Sequence, residues 1–156
     1  MGRTSVGNAP LVTWPIDGSD INSAPTNLIP ASAMQFARVE KTAFGLKIGD
    51  TPVTTEVWLF TAENNGTLEA FHGSVTVPGS SASVTLDLKK NGTTVLSAPL
   101  TLTNASAART SYSASFAGST SYSAGDEFTA LLTVSSSTGM QGVKCRATAV
   151  EQGQPI

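Results

Sequence analysis

The sequence predicts an all-β chain in which an extended N-terminal arm, residues 1–33, precedes one antiparallel β-sandwich over residues 34–156. Three observations lead there. Pro10, Pro15, Pro25 and Pro30 break up the first stretch, and each proline fixes its own φ, lacks an N–H and pushes the residue before it toward extended geometry. From Met34 onward, short runs with period-2 apolar alternation are separated by Gly-, Asn- and Asp-containing clusters. No stretch sustains a helical period.

The arm carries Leu11, Val12, Trp14, Ile16, Ile21, Leu28 and Ile29 between its prolines, too much apolar surface for a solvated tail. Two readings stay open: packing along its own domain, or reaching neighbouring subunits. Beyond it the strands expected are Met34–Glu40, Val53–Ala62, Thr67–Thr76, Ala82–Lys89, Thr94–Thr103, Thr110–Phe116, Glu127–Ser135 and Val143–Glu151. Turns are expected at Gly49-Asp50, Asn64-Asn65-Gly66, Pro78-Gly79, Asn91-Gly92, Ala124-Gly125-Asp126 and Thr138-Gly139. Short strands at near-regular spacing suit a sandwich, a jelly roll or a barrel.

Parity sharpens four of these strands. Ala82, Val84, Leu86 and Leu88 before Asn91-Gly92, and Leu96, Ala98, Leu100 and Leu102 after it, are all even-numbered. A two-residue loop would set even residues opposite odd ones and turn one apolar face to solvent. The expectation is therefore a three-residue loop, Lys90-Asn91-Gly92, with a bulge at Gly92, and Leu86 opposite Leu96. Pro99 cannot donate to a ladder, so its strand belongs at an edge or bulges there. In the last strand Val143, Cys145, Ala147 and Ala149 share one face, with Lys144 and Arg146 outward. Val53–Ala62 reads as apolar on both faces, Val57 and Leu59 against Trp58 and Phe60, and so as covered on both, by the arm or by another subunit.

Size and charge bound the function. The chain has 156 residues, enough for one domain that buries about two thirds of its unfolded surface. Nine Lys and Arg against eleven Asp and Glu give a net charge of −2, scattered singly except at Lys89-Lys90, which argues against a phosphate-tracking surface and hence against a nucleic-acid partner. Only 13% of residues are charged while Ser and Thr abound. Hydroxyls can pair with backbone groups where a carboxylate would have to be desolvated, so such faces suit contact with other protein surfaces and multivalent assembly. The segment Met1-Gly2-Arg3-Thr4-Ser5-Val6 lacks the apolar stretch of a secretory signal, Val6 breaks the myristoylation pattern, and no segment is long enough to span a bilayer; no membrane partner is expected.

Chemistry finds little support. His72 is the only histidine and Cys145 the only cysteine, no Gly-x-Ser-x-Gly elbow marks a nucleophile, and both residues read as ordinary strand positions. Asp17-Gly18-Ser19-Asp20 lacks the further oxygen ligands of a calcium loop. Glu56, Glu63 and Glu69 are the acids available for a carboxylate pair. Asn65-Gly66-Thr67, Asn91-Gly92-Thr93 and Asn104-Ala105-Ser106 match the glycosylation pattern, although tight turns explain the two that contain Asn-Gly. Tyr112, Phe116 and Tyr122 offer either strand packing or a stacking shelf for a glycan. No catalytic residue, metal or cofactor is expected, and the chain is read as non-enzymatic.

The run Ser83-Val84-Thr85-Leu86-Asp87-Leu88-Lys89-Lys90-Asn91-Gly92-Thr93-Thr94-Val95-Leu96-Ser97-Ala98-Pro99-Leu100, followed by Ser123-Ala124-Gly125-Asp126-Glu127-Phe128, resembles a β-domain of tailed-bacteriophage virion proteins. In that family a Lys-Asn-Gly-Thr turn between two strands is followed by a Ser-Ala-Gly-Asp turn that opens another. The resemblance covers about the C-terminal half. It implies a jelly-roll-like sandwich in capsid decoration (cement) proteins, head fibres or tail fibres, often trimeric, and transfers no catalytic residue. One short sandwich with an apolar arm fits a cement protein at the capsid surface of the virion. Its partners would be the major capsid protein and further copies of itself, contacted through Trp14, Ile16, Leu28, Ile29, Trp58 and Phe60. A head- or tail-fibre, or a glycan-binding adhesion module, is the alternative.

Overall fold

The computed structural model describes residues 38–45 and 49–152. Ten strands occur in chain order: β1 (Arg38–Gly45), β2 (Thr55–Thr61), β3 (Gly66–Ser74), β4 (Val77–Lys90), β5 (Thr93–Thr94), β6 (Leu100–Thr103), β7 (Tyr112–Ala114), β8 (Ser121–Tyr122), β9 (Glu127–Gln141) and β10 (Lys144–Gln152). They form two antiparallel sheets. The first runs β1-β10-β3-β7, with β8 also on β3; the second runs β2-β9-β4-β5, with β6 also on β4. The described residues contain no helix. The fold is the all-β sandwich expected; the arm, residues 1–33, lies outside the described residues.

Taking β5 with β6 and β7 with β8 as interrupted strands, the chain pairs first with last, second with seventh, third with sixth and fourth with fifth. That is one long hairpin rolled up, the jelly-roll order. Its tip is Asn91-Gly92. Its two arms cross between sheets together: β3 runs into β4 through Val75-Thr76, and β9 into β10 through Gly142-Val143. The Thr76 N–H donates to the Gln141 and Gly142 carbonyls at 3.1 Å, tying the two crossings side by side. Val75, Met140 and Val143 are buried there.

The tip corrects the bulged-hairpin expectation. Lys90 pairs with Thr93 and Lys89 with Thr94, and Asn91 and Gly92 have φ of 50° and 80°: a two-residue turn with both central residues left-handed, as type I′ requires. Parity is restored further on. Leu96 to Pro99 leave the ladder, and when pairing resumes Leu86 faces Leu100 and Val84 faces Leu102. The break contains Pro99 and lies at the sheet's edge, where a missing N–H costs no ladder bond. The displaced segment pairs with the other sheet instead: Ser97 N–H to the Ser115 carbonyl, Ala117 N–H to the Val95 carbonyl, both at 2.9 Å, around a Leu96–Phe116 bridge. This side of the sandwich is thereby closed.

Two expected turns are kinks within longer strands. Pro78-Gly79 lies inside β4 and Thr138-Gly139 inside β9, and the two face each other, with Pro78 opposite Met140 and Ser81 opposite Thr138. Both glycines have positive φ, 77° and 71°. Adjacent strands that bend at the same level keep their pairing on either side. Other boundaries also shift: β1 continues to Gly45, and the two-residue β8 was not expected.

The core lies between unlike faces. The first sheet contributes Gly73, Cys145, Ala147 and Ala149 with Leu68 and Phe71; the second contributes Val84, Leu86, Leu88, Leu100, Leu102, Phe128, Ala130 and Leu132. Small opposite large lets the layers interdigitate.

Candidate interaction surface

Of the residues read as contact positions, Trp14, Ile16, Leu28 and Ile29 lie outside the described residues. Trp58 and Phe60 part company. Trp58 pairs with Thr129 and Phe60 with Phe128, so Leu59 is an extra residue without an opposite. This bulge breaks the period-2 rule: Leu59 and Phe60 both turn inward, and Trp58 alone faces out, 62% exposed against 7% for Phe60. Val57–Phe60 is therefore not apolar on both faces. The Phe60 ring stacks on Phe128 with centroids 4.6 Å apart and meets Tyr122 edge-on at 6.4 Å, which removes it from any contact surface.

Trp58 stands on the outer face of the second sheet, in a cross-strand row with Thr129, Lys89 and Thr94. The next rows are Glu56, Leu131 and Asp87, then Thr133, Thr85 and Thr101. The face is rich in hydroxyls, and the charged groups of Glu56, Lys89 and Asp87 are engaged. The Thr129 hydroxyl donates to Glu56 Oε1 at 2.6 Å, Lys89 Nζ lies 3.4 Å from Glu56 Oε2, and the Thr94 hydroxyl donates to Asp87. The Thr129 hydrogen bond, aided by Lys89, holds the Glu56 carboxyl below its ordinary pKa. Trp58 Nε1–H donates to the Thr61 hydroxyl at 3.3 Å. The result is a hydroxyl-rich surface on which Glu56, Asp87 and Glu127 outnumber Lys89, with one large ring. No strand among the described residues pairs with the outer edge of β2, and at its N-terminal end a cavity of about 540 Å³ opens between Pro52, Val53, Val57, Leu132 and Val143.

The other residues singled out fall into place. Cys145 is buried, and burial pushes its thiol up to about 11. His72 faces outward on β3, opposite Arg146 and Ser113. Tyr122 is buried, its hydroxyl pushed up to about 12 by desolvation and by the Glu151 charge, while Tyr112 and Phe116 pack against the core, so the three rings make no exposed shelf. Asn91 and Asn65 work as turn residues: Asn91 Nδ2 donates to Asp126 at 2.7 Å, and Asn65 Oδ1 accepts the Ala124 N–H at 3.1 Å. Among the described residues no three His, Cys, Asp or Glu side chains gather as a metal site would need, and Asp17-Gly18-Ser19-Asp20 lies outside them. Glu151, buried at 1% exposure, accepts the Glu63 N–H. It shares the odd parity of Cys145, Ala147 and Ala149, the signal that could have found it.

No family model, curated protein or solved structure matches this chain. The chain presents a jelly-roll sandwich with an exposed tryptophan on a threonine-rich face.

Proposed function

We propose that the chain is a non-catalytic structural protein of a virus particle, a capsid decoration protein whose second sheet docks through Trp58 onto the outer shell. The observation that carries this reading is Trp58 itself. A large ring, 62% exposed, stands on a threonine-rich face beside the Lys89–Glu56 ion pair. Tryptophan supplies much contact area for little lost side-chain freedom and is enriched at interface hot spots. A hydroxyl-rich surround loses less on desolvation than a charged one. The jelly-roll order is used by viral shell proteins among others, and that likeness is analogy at the level of fold. The motif resemblance points the same way, toward the major capsid protein as partner, the capsid surface as location and a trimer as assembly.

The test is co-sedimentation with particles assembled without this protein. The wild-type chain is expected to saturate them at a fixed ratio to the shell. Trp58→Ala is expected to leave stability within about 0.5 kcal/mol, as for exposed substitutions, and to weaken binding by about 2 kcal/mol, the size of a hot-spot truncation. A chain that fails to bind particles, or that binds without saturating, overturns the reading.

A further inference from the structure

On the face opposite Trp58, the structure gathers cations that the sequence scatters. A shallow cavity of about 230 Å³ is lined by His72, Ser74, Arg109, Ser111, Lys144 and Arg146, with no carboxylate among its described lining residues. The strands explain part of this. Lys144 and Arg146 are two residues apart on β10 and so point the same way; Lys144 pairs with Ser74, and Arg146 with His72. Arg109 arrives from another direction, on the loop from β6 to β7. That loop is tied down by its own hydrogen bonds: Ser106 N–H to the Thr103 carbonyl at 2.9 Å, Ala107 N–H to the Tyr112 hydroxyl at 2.7 Å, and Arg109 N–H to the Val75 carbonyl at 2.7 Å. Arg109 holds φ at 58°, a conformation in which glycine or asparagine is at ease and arginine is not. The loop thus fixes the Arg109 backbone beside the end of β3, and its side chain lines the hollow.

The geometry points to a binding cleft for a carboxylate-rich segment of a protein partner. Arginine presents a planar fork of donors suited to carboxylates, and Arg109 and Arg146 supply two, with an ammonium and two serine hydroxyls beside them. The lining holds no Phe, Tyr or Trp, and its one aromatic group is the His72 imidazole, so donors to an anion outnumber platforms for stacking a sugar or a base. A stripe of phosphates is a poorer fit, because the cations form one compact group on a chain of net charge −2 rather than a track along a backbone. The other cations with described side chains, Lys89 and Lys90, lie at the far end of β4 and are paired with Glu56 and Asp126. This inference concerns a different face from Trp58 and does not depend on the virion reading.

The experiment uses the full chain at low salt and titrates hexaglutamate, inorganic phosphate and a short single-stranded oligonucleotide by calorimetry. Hexaglutamate is expected to bind, and Arg109→Glu with Lys144→Glu to weaken it by about tenfold or more, the effect of losing charge-assisted contacts. Lys89→Glu, which makes the same charge change as Lys144→Glu, serves as the control and should bind as wild type. Arg109→Ala, an exposed loop substitution, gives a milder loss in a chain whose thermal unfolding is unchanged. Equal losses in the Lys89 control mean diffuse electrostatics and overturn the proposal. Binding of phosphate or of the oligonucleotide in preference to hexaglutamate overturns it as well.

Discussion

At Leu59 a single unpaired residue decides which aromatic ring is core and which is surface. Without the bulge, Trp58 and Phe60 would share the outer face; with it, Phe60 completes a trio with Tyr122 and Phe128, whose rings meet at 4.6 to 6.4 Å. Gly66 makes a similar point. It sits beside Asn64-Asn65, where a glycine is expected to serve a turn, yet its φ is not positive. It is needed for close approach: a Cβ there would run into the Val150 carbonyl oxygen and the Tyr122 hydroxyl. Because backbone cannot step aside cheaply, Gly66→Ala should lower unfolding stability by about 1 to 3 kcal/mol. Urea denaturation measures it, and a shift under about 0.5 kcal/mol would mean the strands relax apart.

At the level of elements, the Asn91-Gly92 turn and the Ser123-Ala124-Gly125-Asp126 turn are physically one device. Asn91 N–H donates to the Glu127 carbonyl, Asn91 Oδ1 accepts the Glu127 N–H, and Asn91 Nδ2 donates to Asp126, all within 2.8 Å. Asp126 also accepts the Ser123 N–H at 2.9 Å. The hairpin tip is clasped to the turn that opens β9, so the pairing of motifs along the sequence reports how the roll is fastened. The Ser123 hydrogen bond first, then Asn91, hold the Asp126 carboxyl below its ordinary value. With the folded pKa below the unfolded one, this contribution is full above about pH 4 and is lost as pH falls through the folded value. A double-mutant cycle of Asn91→Ala and Asp126→Ala should therefore give a coupling of about 0.5 to 1 kcal/mol at pH 7 that fades in acid. Coupling that is absent at pH 7 would show that the clasp is not a stabilising contact, and coupling unchanged at pH 2 would show that it does not depend on the ionised carboxylate.

Legibility varied for physical reasons. Strand existence and the inward parity of β4 and β10 were readable, because one-sided burial writes itself as alternation. Parity points to a bulge at Asn91-Gly92 because apolar faces must match, but the chain repairs the match at Leu96–Pro99 instead, by lending that segment to the other sheet. Pro78-Gly79 and Thr138-Gly139 carry the same residues whether a chain turns back or kinks, and only their mutual pairing distinguishes the two. The gathering of Arg109 with Lys144 and Arg146 depends on a loop path that no local pattern encodes.

For the whole molecule, the rolled hairpin yields two outer faces of different character: a threonine-rich face around Trp58 on which carboxylates outnumber cations, and a cationic hollow at Arg109, Lys144 and Arg146. A module that holds a partner on one face while presenting another suits assembly on a surface. The most direct measurement of the central proposal, that Trp58 is the docking ring, is fluorescence of the Trp14→Phe chain, in which Trp58 is the remaining indole of the two in the sequence. Free in solution its emission should lie at the long-wavelength limit of exposed indoles and be quenched by iodide. On addition of particles it should shift to the blue and escape the quencher in proportion to the amount bound. Binding with unchanged emission and quenching would contradict the account.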